Sequence, residues 1–111
     1  MAALAVTTVA VAGGASITDS LVAAGAGGDS APVGPGRFLV VKNADAAPHT
    51  VTIATPGTVS GLAIPDATLT VAAGETGAIP LPRLFRGTAG RAAITYDAVT
   101  SLSVAVLQLG D

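Results

Sequence analysis

Apolar and polar residues alternate with period two in several short stretches of this chain. In His49–Ile53, Val51 and Ile53 fall on one face and Thr50 and Thr52 on the other. That is the pattern of a half-buried antiparallel strand. Thr68–Val71 repeats it, with Leu69 and Val71 opposed to the two threonines. Arg91–Asp97 sets Ala92, Ile94 and Tyr96 against Ala93 and Thr95. In Leu102–Leu109 both sets are largely apolar, which predicts a strand covered on both faces near its end. Phe38–Val41 is a continuous apolar run, expected at the centre of a sheet. Thr76–Leu81 is a further strand; Pro80 and Pro82 cannot donate to a ladder, so its end is placed at an edge.

Turn signals separate these stretches. Asn43–Pro48 is rich in turn-forming residues, so Arg37–Thr55 reads as two strands joined in a hairpin on which the rest is built. Ala73-Gly74-Glu75 reads as a tight turn, with Gly74 available for positive φ. Gly87-Thr88-Ala89-Gly90 and Ala98–Ser101 turn the chain again. Pro56–Pro65 is a long connection that Val59, Leu62 and Ile64 are expected to tack onto the core. No helix-period segment of useful length follows residue 36. About six strong strands at short spacing predict an all-β chain, an antiparallel β-sandwich or small β-barrel.

Residues 1–36 read differently. Val6–Val11 is β-rich, and Ile17–Ala24 suits a strand or one or two helical turns. Gly25–Gly36 holds too much Gly and Pro for a regular element. The expected organisation is an extended N-terminal arm with a Gly/Pro-rich connection over 1–36 and a β-sandwich domain over 37–111. An extended arm can add a strand to a neighbour or lie in its groove. Deleting Met1–Ala24 is therefore expected to leave the sandwich folded and to weaken attachment or oligomerisation. Met1–Val11 is apolar but about half the ~20 residues of a membrane span. No Lys or Arg precedes it, against the pattern of a signal peptide. A membrane is not an expected partner.

Composition narrows the function. One domain is expected for 111 residues, and a chain this long buries about two-thirds of its unfolded surface. The charged fraction is 11%, far below the usual ~25%. So few charges favour association, and a subunit held in an assembly tolerates them. Net charge is −2 and the aromatics are only Phe38, Phe85 and Tyr96. A nucleic-acid binder needs a basic field with stacking aromatics, so nucleic acid is not an expected partner. Without cysteine there is no disulfide or thiolate metal site.

Candidate chemistry is thin. Asn43…Pro48-His49 at a strand start resembles the first copper-ligand segment of plastocyanin-like cupredoxins. A blue-copper site also needs a second His and a Cys, and the chain has neither. His49 is instead expected to be a strand-end residue with structural hydrogen bonds. Asp45, Asp66, Asp97 and Glu75 each fall at a turn, where acidic residues are common. Paired carboxylates could serve glycoside hydrolysis or hold calcium, but no cluster has the spacing of a calcium loop, and neither role is expected. No nucleophile elbow or phosphate loop is present. The chain is read as no enzyme, with no cofactor and no metal. Arg83-Leu84-Phe85-Arg86 carries the residue types of interface hot spots. The alternative for that segment is an end cap of Leu84 and Phe85 with solvated arginines.

Several segments together carry a family resemblance. They are Gly28-Asp29, Gly36–Asn43, Thr50–Pro56, Gly61–Asp66, Thr70–Gly74, Ile94-Thr95-Tyr96 and Val104–Leu107. Over most of residues 28–109 the chain resembles small virion proteins of actinobacterial tailed phages, among them capsid decoration, or cement, proteins. The resemblance implies a β-sandwich on the capsid exterior of the virion. It implies the major capsid protein as partner and a homo-oligomer, a trimer at local three-fold positions. The expected protein–protein interface comprises Leu4, Val6, Val9, Val11 and Ile17 of the arm with Arg83, Leu84, Phe85 and Arg86. The second reading is a virion-surface or secreted β-sandwich that recognises carbohydrate or a host surface. It would need Phe38, Phe85 or Tyr96 as a stacking platform.

Overall fold

A computed structural model describes residues 2–14, 16–87 and 90–109. Its strands are β1 (Ala2–Ala3), β2 (Val6–Val9), β3 (Val22–Ala23), β4 (Asp29–Pro32), β5 (Arg37–Asn43) and β6 (His49–Ile53). They continue with β7 (Thr58–Val59), β8 (Leu62–Ala63), β9 (Ala67–Val71), β10 (Thr76–Pro80), β11 (Arg91–Tyr96) and β12 (Leu102–Leu109). One helical turn, α1 (Ile17–Ser20), precedes β3, and a 3-10 turn occupies Arg83–Phe85. Of the turn expected over residues 87–90, Thr88 and Ala89 lie outside the described residues.

The strands form two five-stranded sheets packed face to face, a β-sandwich. The first has the order β1-β4-β11-β6-β9; the second runs β10-β5-β12-β2, with β3 also pairing with β12. Their inner faces supply the core: Leu39 and Val41 of β5, Val51 and Ile53 of β6, Ile94 of β11, and Val104 and Val106 of β12, all essentially inaccessible. The alternation in the sequence selects these faces. In β6 the order His49, Val51, Ile53 points inward, and in β11 Ala92 and Ile94 do. The apolar run of β5 is explained by its place between β10 and β12. Ala105 and Leu107, on the face of β12 opposite Val104 and Val106, are buried as well, and α1 comes against that strand.

The expected hairpins are corrected. β5 and β6 do not pair: β5 belongs to the second sheet and β6 to the first. The segment 44–48 is an arch over the core. The turns after β9 and β11 are arches too, because β10 pairs with β5, and β12 pairs with β5, β2 and β3. Sheets pack ~10 Å apart, a gap that four or five residues span. The genuine antiparallel neighbours in sequence are β6 with β9, joined by residues 54–66, and β7 with β8 inside that connection. Val59 and Leu62 were expected against the core. They are instead exposed on the β7–β8 hairpin, which turns through Ser60 and Gly61 at positive φ.

Residues 2–36 contribute to both sheets. β1 lies parallel to β4 at one edge of the first sheet, and β2 lies parallel to β12 at an edge of the second. Between them the chain crosses the side of the sandwich, and Leu4 enters the core at 7% exposure. The Leu4 N–H donates to the Ser30 carbonyl at 2.8 Å. The Arg91 guanidinium donates to the Leu4 carbonyl at 2.6 Å and to the Ser30 carbonyl at 3.1 Å. Ile17–Ala24 divides into the helical turn α1 and the short strand β3.

Candidate functional site

The two ends of the sandwich differ in kind. The arches at 44–48, 72–75 and 97–101 and the loop 24–28 share one end, here the turn end. There the inward faces of β4, β5, β6 and β11 finish in polar residues: Asp29, Asn43, His49 and Tyr96. The first three are buried and Tyr96 is half-buried. A polar group withdrawn from water needs partners, and nearly all are found within the fold. Asn43 donates to the carbonyls of Ala47 and Val71 at 2.9 and 3.0 Å and accepts from the Asp45 N–H at 3.0 Å. It thereby ties two arches together.

His49 begins β6 and sits between two carboxylates. Its Nε2 is 2.9 Å from Oδ2 of Asp45, on the arch before it, and its Nδ1 is 3.1 Å from Oδ1 of Asp97, just past β11. Both ring nitrogens can donate to carboxylates only in the imidazolium form. The hydrogen bond to Asp45, followed by that to Asp97, raises the His49 pKa above its ordinary 6.5. The same contact with His49 lowers Asp45 below 3.8. Burial pushes Asp97 up, but the hydrogen bond from His49 and the backbone at Thr50 and Ala98 outweigh it and leave that pKa lowered.

These shifts set the pH dependence of stability. A raised histidine stabilises fully below 6.5 and ceases to as pH rises through its folded value. Lowered aspartates stabilise fully above 3.8 and cease to as pH falls through theirs. The cluster therefore contributes most between those two pH values. His49→Gln is expected to lower the melting temperature in that window and to remove the part of the alkaline decline that His49 causes. Parallel melting-temperature profiles for the two proteins would contradict this account.

Asp29 closes the same end. Its Oδ2 accepts from the Tyr96 hydroxyl at 2.6 Å and from the Gly25 N–H at 3.0 Å. Its Oδ1 has no hydrogen-bond partner and packs against Gly25, where a Cβ would stand 2.7 Å away. Burial, and then the Asp29 carboxylate, pushes the Tyr96 pKa far up and keeps the hydroxyl a donor. His49 takes its expected place at a strand end with structural hydrogen bonds, but its partners Asp45 and Asp97 and the Asp29–Tyr96 pair were not foreseen from sequence. The four-residue spacing of Asp45 and His49 was the only local signal. Among the described residues no cluster of three or more His, Cys, Asp or Glu side chains is arranged to hold a metal ion.

The nine expected interface positions are not brought into one patch. Leu4 and Phe85 are core residues, at 7% and 5% exposure. Val6 and Val9 are half-buried in β2, with Val11 beyond it largely exposed. Ile17 stands partly exposed on α1. Arg83, Leu84 and Arg86 are exposed around the 3-10 turn, while Phe85 between them anchors that turn in the core. This segment thus combines its two readings: one side chain caps the sandwich and three face outward. Comparison with protein families, curated proteins and solved structures finds no match for the chain.

Proposed function

We propose that this chain is a structural virion protein of a tailed phage, a capsid decoration protein that binds the outside of the head and stabilises it by protein–protein contacts. It performs no reaction and needs no cofactor. Its partner is the major capsid protein, and it acts as a homo-oligomer, with the trimer suggested by the family resemblance. One observation carries the reading. The polar groups able to do chemistry are engaged inside the fold, as in Asp45–His49–Asp97 and Asp29–Tyr96, while apolar side chains such as Val11, Leu62 and Leu109 face solvent. Exposed apolar surface of this kind marks protein contacts. Multivalent attachment turns modest contacts into firm binding.

The carbohydrate reading has less support. Phe85 is buried, Phe38 and Tyr96 are half-buried, and the Tyr96 hydroxyl is held by Asp29. Co-sedimentation with undecorated phage heads, beside a control of free protein, tests the proposal. Saturable binding at a fixed ratio to the shell protein is expected. Absence of binding across the concentration range would overturn it.

A further inference from the structure

The strand directions sort the charges by end. β5, β11 and the link from β10 to β11 place Arg37, Arg91, Arg83 and Arg86 at the end opposite the His49 arches, here the connector end. These are all four arginines of the chain. Asp66 is the one carboxylate at that end among the described residues, and it accepts the Thr55 N–H at 2.9 Å. Asp29, Asp45, Glu75 and Asp97 lie at the turn end with Lys42, and Asp19 sits on α1 between the ends. No arginine–carboxylate pair forms among the described residues; the ion pairs found there are those of His49. Arg37 and Arg91 are held by neutral acceptors, Gln108 with the Val33 carbonyl and Ser30 with the Leu4 carbonyl. Their positive charge meets no carboxylate partner among the described residues.

Exposed apolar residues gather at the same end. Val11 follows β2, Leu109 closes β12, Val59 and Leu62 form the β7–β8 hairpin, and Leu84 stands on the 3-10 turn. The close approach of Pro56 to Gly87 puts the base of that hairpin beside the link carrying Leu84. Arginine interleaved with apolar side chains is the composition of an interface centre. We propose that the connector end is the docking face, and that its occupant is an acidic protein surface with apolar residues at its centre. This rests on the decoration reading in one respect: there the occupant is the outer face of the capsid shell.

Charge selects that occupant. Arginines that meet no carboxylate among the described residues call for a carboxylate-bearing surface, and electrostatic complementarity of this kind fixes orientation and speeds encounter. Nucleic acid is the poorer match, because no exposed aromatic offers a stacking platform. A second copy docking by its turn end is poorer too. There Asp29 is buried, and Asp45 and Asp97 are engaged by His49, which leaves Glu75 as the one exposed carboxylate of that end without such a contact among the described residues.

Two experiments together test the inference. The isotopically labelled full chain is titrated with an acidic glutamate–phenylalanine copolymer, followed by NMR, at low salt and at about 0.5 M salt, where screening shortens to roughly 4 Å. Shifts are expected around residues 33–37, 57–63, 83–87 and 109, and are expected to fade at high salt. No shifts, shifts centred on residues 44–48 and 97–101, or tighter binding of a single-stranded oligonucleotide would each overturn the assignment. The second experiment compares head binding by wild type, Arg83→Glu/Arg86→Glu and Glu75→Arg. Among the described residues the two arginines make no side-chain hydrogen bond, and both are exposed, so the double variant is expected to fold. A loss of about tenfold or more in the arginine variant alone is expected; equal binding by all three overturns the docking face. If wild type fails to bind heads while the copolymer maps to the connector end, the decoration reading fails and the docking face stands.

Discussion

Removal of residues 1–24 is expected to abolish the cooperative folding of this chain, and not merely to weaken its attachment. The deletion strips β1 from the first sheet and β2 and β3 from the second. Most of one edge of β12 loses its partners, at residues 103–104 and 106–109. Leu4 and Ala24 leave the core, and burial of a leucine alone is worth ~1.5–3 kcal/mol. Arg91 loses the Leu4 carbonyl, and each lost hydrogen bond costs about 1 kcal/mol. Against a typical domain stability of ~5–15 kcal/mol these losses are decisive. Thermal unfolding of the truncated protein, followed by circular dichroism, is expected to show no sharp transition. A melt as sharp as that of the full chain and within a few degrees of it would show that the chain from residue 25 onward folds without the first 24 residues.

Gly28→Ala is the single substitution with the largest expected effect among the glycines. Gly28 holds φ +91, a conformation that L side chains rarely adopt. A Cβ there would stand 2.7 Å from the Ile94 carbonyl oxygen, which is backbone in the middle of the sheet and cannot swing aside. The next residue is Asp29, which pairs with Ile94 in register and anchors Tyr96. Strain at φ and forced separation of β4 from β11 are each worth ~1–3 kcal/mol. A loss of about 3 kcal/mol or more in chemical denaturation follows. Gly27→Ala is the matched control, since nothing lies within 4 Å of its Cβ position. It is expected to stay within about 0.5 kcal/mol of wild type. Equal stability for both variants would contradict the packing described for the 25–29 loop.

The strands were legible because each carries its own period. Val51 with Ile53, and Ala92 with Ile94, announce which face is buried without reference to any partner. Which strand pairs with which was not legible. The turn at Gly74 suits a hairpin or an arch equally, and only the packing of two sheets sends β10 to β5 instead of β9. The arm was misjudged for a related reason. Val6–Val9 is four residues long, and its parallel register with Val106–Leu109 joins positions 100 residues apart. Nothing local marks Leu4 as a core residue. The same holds for the polar closure of the turn end: Asp29, Tyr96 and Asp97 look like ordinary turn or strand residues until the fold brings them to Gly25 and His49. At the other end, the Arg83–Arg86 segment stands out in the sequence by residue type alone, and its docking role is a proposal. Its company of Arg37, Val59, Leu62 and Leu109 required the strand directions.

The most direct test of the proposed function is the thermal stability of undecorated phage heads with and without saturating protein, read as the temperature at which packaged DNA becomes accessible to a dye. A cementing protein bridges joints between shell subunits, and what binds only the intact shell stabilises it by mass action. The release temperature is predicted to rise with added protein and to level off once binding saturates. Bound protein that leaves the release temperature unchanged would contradict the cementing role.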